Sequence, residues 1–168
     1  MTMYTSLALT EHHEIESFDC GVESLDSWLR NEAMRAQRAD TARTYVWTET
    51  DASAEVLAYF SIAPTLVRRE ELTRGQSAGY SMAISGYLLA RLALDKRLKG
   101  QGLGTELLVD AIGRIVGASQ ATAGRLIVVD AVDHRAAAFY RKHDFTPVLG
   151  NPNRLVLKIA TAGQIVGL

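Results

Sequence analysis

A mixed α/β fold is what this sequence predicts, and three observations predict it. Short apolar and β-branched runs alternate along the chain with segments of helical period. No internal repeat or low-complexity linker interrupts them. The stretch 98–112, LKGQGLGTELLVDAI, sets Gly100, Gly102 and Gly104 between a strand-like run and a strongly patterned helix. With 168 residues, 48% apolar and 22% charged, the chain has the size and composition of one globular domain, expected over residues 1–168.

Taken in order, residues 3–9 (MYTSLAL) read as a weak first strand. In 22–40, Leu25, Trp28, Leu29 and Ala33 recur at helical spacing, with Arg30, Arg35 and Arg38 on more polar sides. One or two short helices are expected there, any break falling near Asn31. Residues 42–50 (ARTYVWTET) and 54–63 (AEVLAYFSIA) are β-branched and aromatic runs around a polar turn, which predicts a hairpin. Pro64 is expected to end the second strand. Residues 65–83 read as a long, polar, irregular connection. A strand over 85–95 (SGYLLARLALD) then runs into the glycine segment.

The helix that follows carries Leu107, Leu108, Ala111, Ile112, Ile115 and Val116 as one apolar stripe. Residues 125–132 (RLIVVDAV) are nearly continuous in apolar character, as in a strand buried on both faces. A short helix over 134–144 and a last strand over 153–160 (NRLVLKIA) complete the order.

Composition excludes some function classes. A formal charge of −1 announces no overall basic excess, and one cysteine rules out an internal disulfide and fits a reducing compartment. No basic stretch followed by an apolar core opens the chain, and no apolar run approaches the roughly 20 residues of a membrane helix. A soluble cytoplasmic protein is expected. His12 and His13 are too few for a metal set, so no metal is expected. Cys20, just before a helix, reads as an inert thiol near a cap, Trp28 and Trp47 read as packing residues, and neither Glu49 nor Glu55 is assigned as a general base.

The glycines need a reason. A strand, a glycine-rich turn and a helix start make an anion site, because the first helical N–H groups lack partners and the helix dipole favours negative charge there. The segment is not a P-loop, since Thr105 and Glu106 follow Gly104. Nor does it have the G-x-G-x-x-G spacing of a dinucleotide site. A tight connection without a ligand remains the alternative.

Residues 92–112, LALDKRLKGQGLGTELLVDAI, resemble the coenzyme-A-binding segment of GNAT-type N-acyltransferases, Q/R-x-x-G-x-G/A before a helix. Lys99 stands at the Q/R position, and Gly102 and Gly104 at the small positions. Residues 133–145, DHRAAAFYRKHDF, are similar to the family's N-x-x-A-x-x-x-Y-x-x-x-G-F segment, with Asp133 for Asn, Ala136 and Tyr140 matching, Asp144 for Gly, and Phe145 matching. The resemblance implies the α/β (α+β) GNAT fold, a central mixed, mostly antiparallel sheet flanked by helices. It implies acetyl-CoA as donor, held by Leu92, Ala93 and Leu94, by Lys99, Gly100, Gln101, Gly102, Leu103, Gly104 and Thr105, and by Asp133. It makes Tyr140 the catalytic proton donor. Asp144 is expected to tolerate a left-handed backbone.

Residues 18–46 are similar to the opening of the toxin-type, TacT-like GNATs, through Phe18, Gly21, Leu25, Asp26, Trp28, Leu29, Arg43, Thr44, Tyr45 and Val46. That resemblance implies acetylation of the α-amino group of aminoacyl-tRNA, arrest of translation, and neutralisation by a ribbon-helix-helix antitoxin. DNA is then met only through the antitoxin complex, and a homodimer is expected. Arg35, Arg38 and Arg91 are the candidate tRNA contacts. Two alternatives stay open: a GNAT enzyme acting on a small amine or protein N-terminus, and a non-catalytic coenzyme-A-binding module in a repressor complex.

Overall fold

A computed structural model describes residues 4–80 and 82–167. Met3 of the expected first strand and Ser81 of the expected connection lie outside it. The described chain runs β1 (Leu7–Ala8), α1 (Glu23–Asn31), α2 (Ala33–Arg38), β2 (Arg43–Trp47), β3 (Ala58–Val67), α3 (Arg74–Ser77), β4 (Ile84–Leu94), α4 (Leu103–Thr122), β5 (Leu126–Asp130), α5 (His134–Lys142), β6 (Thr146–Val148), β7 (Asn151–Lys158) and α6 (Ile159–Ile165). The seven strands are ordered β1-β2-β3-β4-β5-β7-β6. The pairs β1–β2, β2–β3, β5–β7 and β6–β7 are antiparallel, and β4–β5 is parallel.

The chain divides into two compact units. The first holds the residues up to Ala63 and Ala90–Ala111. Leu29, Ala33, Val46, Tyr59 and Ala93 are buried in its core, with Leu25 and Trp28 packed against them. This explains the helical pattern of 22–40: its apolar residues face that core, and the break falls at Glu32, between α1 and α2. The hairpin forms as expected, its register running from Arg43↔Ile62 to Trp47↔Ala58.

The second unit holds Pro64–Leu89 and Ile112–Leu168. Val67, Leu72, Ile84, Leu126, Val128 and Val156 form a core there. The parallel ladder runs from Gly86↔Leu126 to Leu88↔Val128. The stripe on α4 is buried throughout, Leu107, Leu108 and Ala111 in the first unit and Ile112, Ile115 and Val116 in the second.

Several elements differ from the sequence expectation. Pro64 does not end β3, which continues to Val67. The β2 ladder stops at Ile62, so the missing proline N–H costs no bond on that side. The strand also starts at Ala58, four residues later than expected. The connection over 65–83 is not irregular: a 3₁₀ turn spans Arg69–Glu71, and α3 is closed by a capping box in which Gln76 N–H donates to Thr73 Oγ1 and Thr73 N–H to Gln76 Oε1. The last strand ends at Lys158, and its apolar tail begins α6. β6 was unanticipated; it is three residues long and contains Pro147, too short a pattern to register as a strand.

Candidate active site

In the first unit, β4 delivers the chain to the glycines through a tight 3₁₀ turn, Lys96–Leu98. Asp95 builds this turn. Its buried carboxylate accepts from Arg97 N–H at 3.0 Å and Nε at 2.8 Å and from Asp19 N–H at 3.1 Å. Burial alone would raise its pKa, but these hydrogen bonds outweigh burial and hold it below the usual carboxylate value.

Gly100 and Gly102 follow with φ of +79° and +75°, a region in which side chains are strained. A β-carbon built on either would meet nothing within 4 Å. These glycines therefore leave backbone open at the start of a 20-residue helix, where N–H groups lack helical acceptors. Leu103, Gly104 and Thr105 form the first turn of α4, so Gly104 serves as a helical residue and not as a turn. An open backbone cradle of this kind fits the phosphates of coenzyme A.

The basic residues of the segment are already engaged. Lys99 Nζ donates to the Cys20 carbonyl, Lys96 pairs with Asp19 at 2.9 Å, and Arg97 bridges Asp95 and Glu55. Gln101 is exposed and donates to the Arg97 carbonyl at 3.2 Å. An anion at this segment would meet open backbone more than free lysine charge. Leu92, Ala93 and Leu94 close β4, with Ala93 buried and its neighbours half-buried. Cys20 is an inert thiol, pushed up to about 11 by burial and its hydrogen bond with Asp26.

The second unit carries the other motif. Asp133 caps α5, its Oδ1 accepting from Ala136 N–H at 2.8 Å. Tyr140, on the last turn of α5, is only 9% exposed. Its ring meets Phe139 and Phe145 edge-on, with centroids 5.4 and 5.5 Å away. Burial pushes the phenol up to about 12, so it is a neutral O–H donor across the physiological range. Asp144 follows the helix with φ +72°, the left-handed conformation expected of a residue in place of glycine.

The candidate tRNA contacts divide. Arg35 and Arg38 lie exposed on α2 and pair with Glu32 and Glu11. Arg91, on β4, places its guanidinium 4.2 Å from the centre of the Trp28 ring. The sequence marked Trp28 only as packing, and its helical stripe gave no sign of this contact. Trp47 is buried, as expected, and donates to Asp110 at 2.8 Å. Among the described residues no group of three potential metal ligands occurs, and no helix is long and apolar enough to cross a membrane.

Residues 43–147 match the acetyltransferase (GNAT) domain. This chain belongs to the GNAT acetyltransferase family. A tRNA-acetylating toxin of Mycobacterium tuberculosis (strain ATCC 25618 / H37Rv) is 31% identical over 159 residues, 95% of this chain and 94% of the toxin. The GNAT chain is also similar in structure to a tyrosine-to-phenylalanine mutant of KacT, with TM-score 0.89 and 25% identity over 98% of this chain and 99% of that one. AtaT complexed with acetyl-methionyl-tRNAfMet matches with TM-score 0.87 and 27% identity, covering 96% of this chain and 98% of AtaT. An AtaT mutant bound to the C-terminus of the antitoxin AtaR and acetyl-CoA matches with TM-score 0.84 and 26% identity, covering 99% and 100%.

Proposed function

We propose that residues 1–168 act as one acetyltransferase domain that transfers acetyl from acetyl-CoA to the α-amino group of an aminoacyl-tRNA, blocking translation, and that a cognate antitoxin neutralises it. The observation that carries this reading is similarity along almost the whole chain to a tRNA-acetylating toxin. AtaT relatives solved with acetylated tRNA, with antitoxin and acetyl-CoA, and with antitoxin and DNA support the partners in the same way. Aminoacyl-tRNA places the enzyme in the cytoplasm.

The roles follow from chemistry. Bound acetyl-CoA supplies a thioester whose acetyl carbon the amine takes and whose sulfur leaves. Gly100, Gly102 and the first N–H groups of α4 hold the phosphates, and the backbone of Leu92, Ala93 and Leu94 orients the acyl end. An α-amine next to an ester, whose carbonyl withdraws electrons more strongly than the amide beside a chain N-terminus, has a pKa below ~7.7–8.0, so a fraction of it is neutral at pH 7 without a dedicated base. The reading assigns the Tyr140 O–H as the hydrogen-bond donor to the departing sulfur. A phenol near 12 yields its proton to a thiolate only uphill, because a free thiol sits near ~8.5. Tyr140 therefore stabilises the leaving sulfur by donation, and the surplus proton of the attacking amine balances the reaction on sulfur.

The test incubates the purified protein with radiolabelled acetyl-CoA and charged tRNA, deacylated tRNA, polyamines or a peptide with a free N-terminus. Label should enter charged tRNA alone and leave with the amino acid on ester hydrolysis. Labelling of polyamine or peptide, with charged tRNA untouched, would overturn the reading.

A further inference from the structure

Among the described residues of the first unit, almost every cation is met by an oxygen. Arg30, Arg35, Arg38, Arg43 and Arg97 each pair with a carboxylate. Lys96 pairs with Asp19, and Lys99 donates to a carbonyl. Arg91 is the exception: what it meets is the Trp28 ring, 4.2 Å away. That ring is itself held, stacked on Tyr59 at 6.2 Å and 10°, while the Tyr59 hydroxyl donates to the Leu25 carbonyl at 2.7 Å.

A half-buried guanidinium without an anion is unusual, because burial costs the charge its hydration. Desolvation draws the Arg91 pKa down from its ordinary value, with Tyr59 opposing. An aromatic ring offsets part of that cost but satisfies none of the N–H donors of the planar fork. Those donors suit a phosphate. Arg91 also directly precedes Leu92–Leu94 in β4, the segment to which the acyl end is assigned.

We infer that Arg91, positioned by Trp28, anchors a backbone phosphate of the single-stranded acceptor end of tRNA near the reacting amine. This rests on the tRNA-acetylating reading. Arg35 and Arg38, paired and exposed, contribute only a long-range field. The diphosphate of acetyl-CoA has the same chemistry, and the experiment separates the two.

Arg91→Gln, Arg91→Lys, Trp28→Leu and Trp28→Phe are compared with wild type for acetylation of charged tRNA across a salt series. Acetyl-CoA affinity is measured by calorimetry and folding by circular dichroism. For Arg91→Gln, KM for charged tRNA should rise about 10- to 100-fold, the weight of a charge-assisted hydrogen bond, with kcat little changed. The slope of log kcat/KM against log salt should become shallower by about 0.7, one single-strand phosphate. Arg91→Lys should restore the slope but only part of KM. Trp28→Leu should raise KM at unchanged slope, and Trp28→Phe should rescue it.

A folded Arg91→Gln enzyme with wild-type KM and slope overturns the inference while leaving the reading intact. Weakened acetyl-CoA binding with unchanged KM for tRNA overturns it too, assigning the anion to the cofactor. If wild type labels no charged tRNA, inference and reading fall together.

Discussion

Gly100 and Gly102 of the first unit do a different job from Gly86 and Gly124 of the second. Around Gly100 and Gly102 of the first unit, a β-carbon would enter open space, and only the positive φ resists a side chain. In the second unit, a β-carbon on Gly86 would lie 2.5 Å from the Leu126 carbonyl oxygen, and one on Gly124 2.5 Å from the Tyr87 ring. The first pair keeps backbone accessible to something outside the protein. The second pair lets protein approach protein. At these four positions the surroundings, more than the conformation, separate open backbone from a packing contact: Gly124 also has a positive φ, +130°.

The largest expected effect tests what the second unit adds beyond packing. Tyr140→Phe keeps the ring between Phe139 and Phe145 and removes the one O–H. kcat should fall about 10²- to 10³-fold, the cost of removing one hydrogen-bond donor to a developing anion, with acetyl-CoA affinity unchanged. A turnover within a few-fold of wild type would make the tyrosine a core residue only. The pH dependence follows from the raised pKa of about 12 against an unfolded value near ~10. The stability carried by the neutral phenol is complete below pH ~10 and lost as pH rises towards 12. Tyr140→Phe should lack that alkaline loss in urea titrations.

Next come the glycines. Gly102→Glu puts a carboxylate in the open cradle and a side chain at φ +75°, so acetyl-CoA affinity should drop by two orders of magnitude or more, while stability falls by about 1–3 kcal/mol. Near-native affinity in a folded variant would refute the cradle. Gly86→Ala should lose stability without losing affinity. Overpacking against the Leu126 backbone should cost about 1–3 kcal/mol, read as a shift of the urea midpoint, with acetyl-CoA affinity intact in the folded fraction. If both variants lose affinity and stability together, the distinction drawn between the units is wrong.

Legibility in the sequence followed the same division. The glycine segment, the stripe on α4, the break between α1 and α2 and the hairpin could be read because each is set by local residue pattern. What escaped depends on partners far away in sequence. Pro64 inside β3 costs no bond to β2, because that ladder stops at Ile62. β6 exists by pairing with β7, and Gln76, which looks like a loop residue, ties α3 to Thr146 and Pro147. The Thr73–Gln76 capping box was a local signal, but it was hidden inside a run that composition marked as loop. Among the candidate functional residues, Gly102 and Tyr140 could be named, yet the surroundings of each could not. Nothing in sequence shows that Lys99 turns to the Cys20 carbonyl, or that Arg91 lies on Trp28.

The smallest expected effect concerns Asp133, where capping and cofactor binding compete as explanations. Its Oδ1 already accepts the Ala136 N–H at 2.8 Å, and the same carboxylate adds a negative charge at the helix start, which the dipole favours. Asp133→Ala should therefore cost about 1 kcal/mol, a fall in Tm of about 2–4 °C for a chain of this size. Asp133→Asn keeps the accepting oxygen and should recover most of it. Acetyl-CoA affinity then divides the roles. If it is unchanged in both variants, Asp133 acts only by fixing α5, and through it Tyr140. If it falls in alanine and returns in asparagine, the oxygen also serves the cofactor. If asparagine binds more tightly than the natural aspartate, the carboxylate repels phosphate, and the cap is a compromise between helix and ligand.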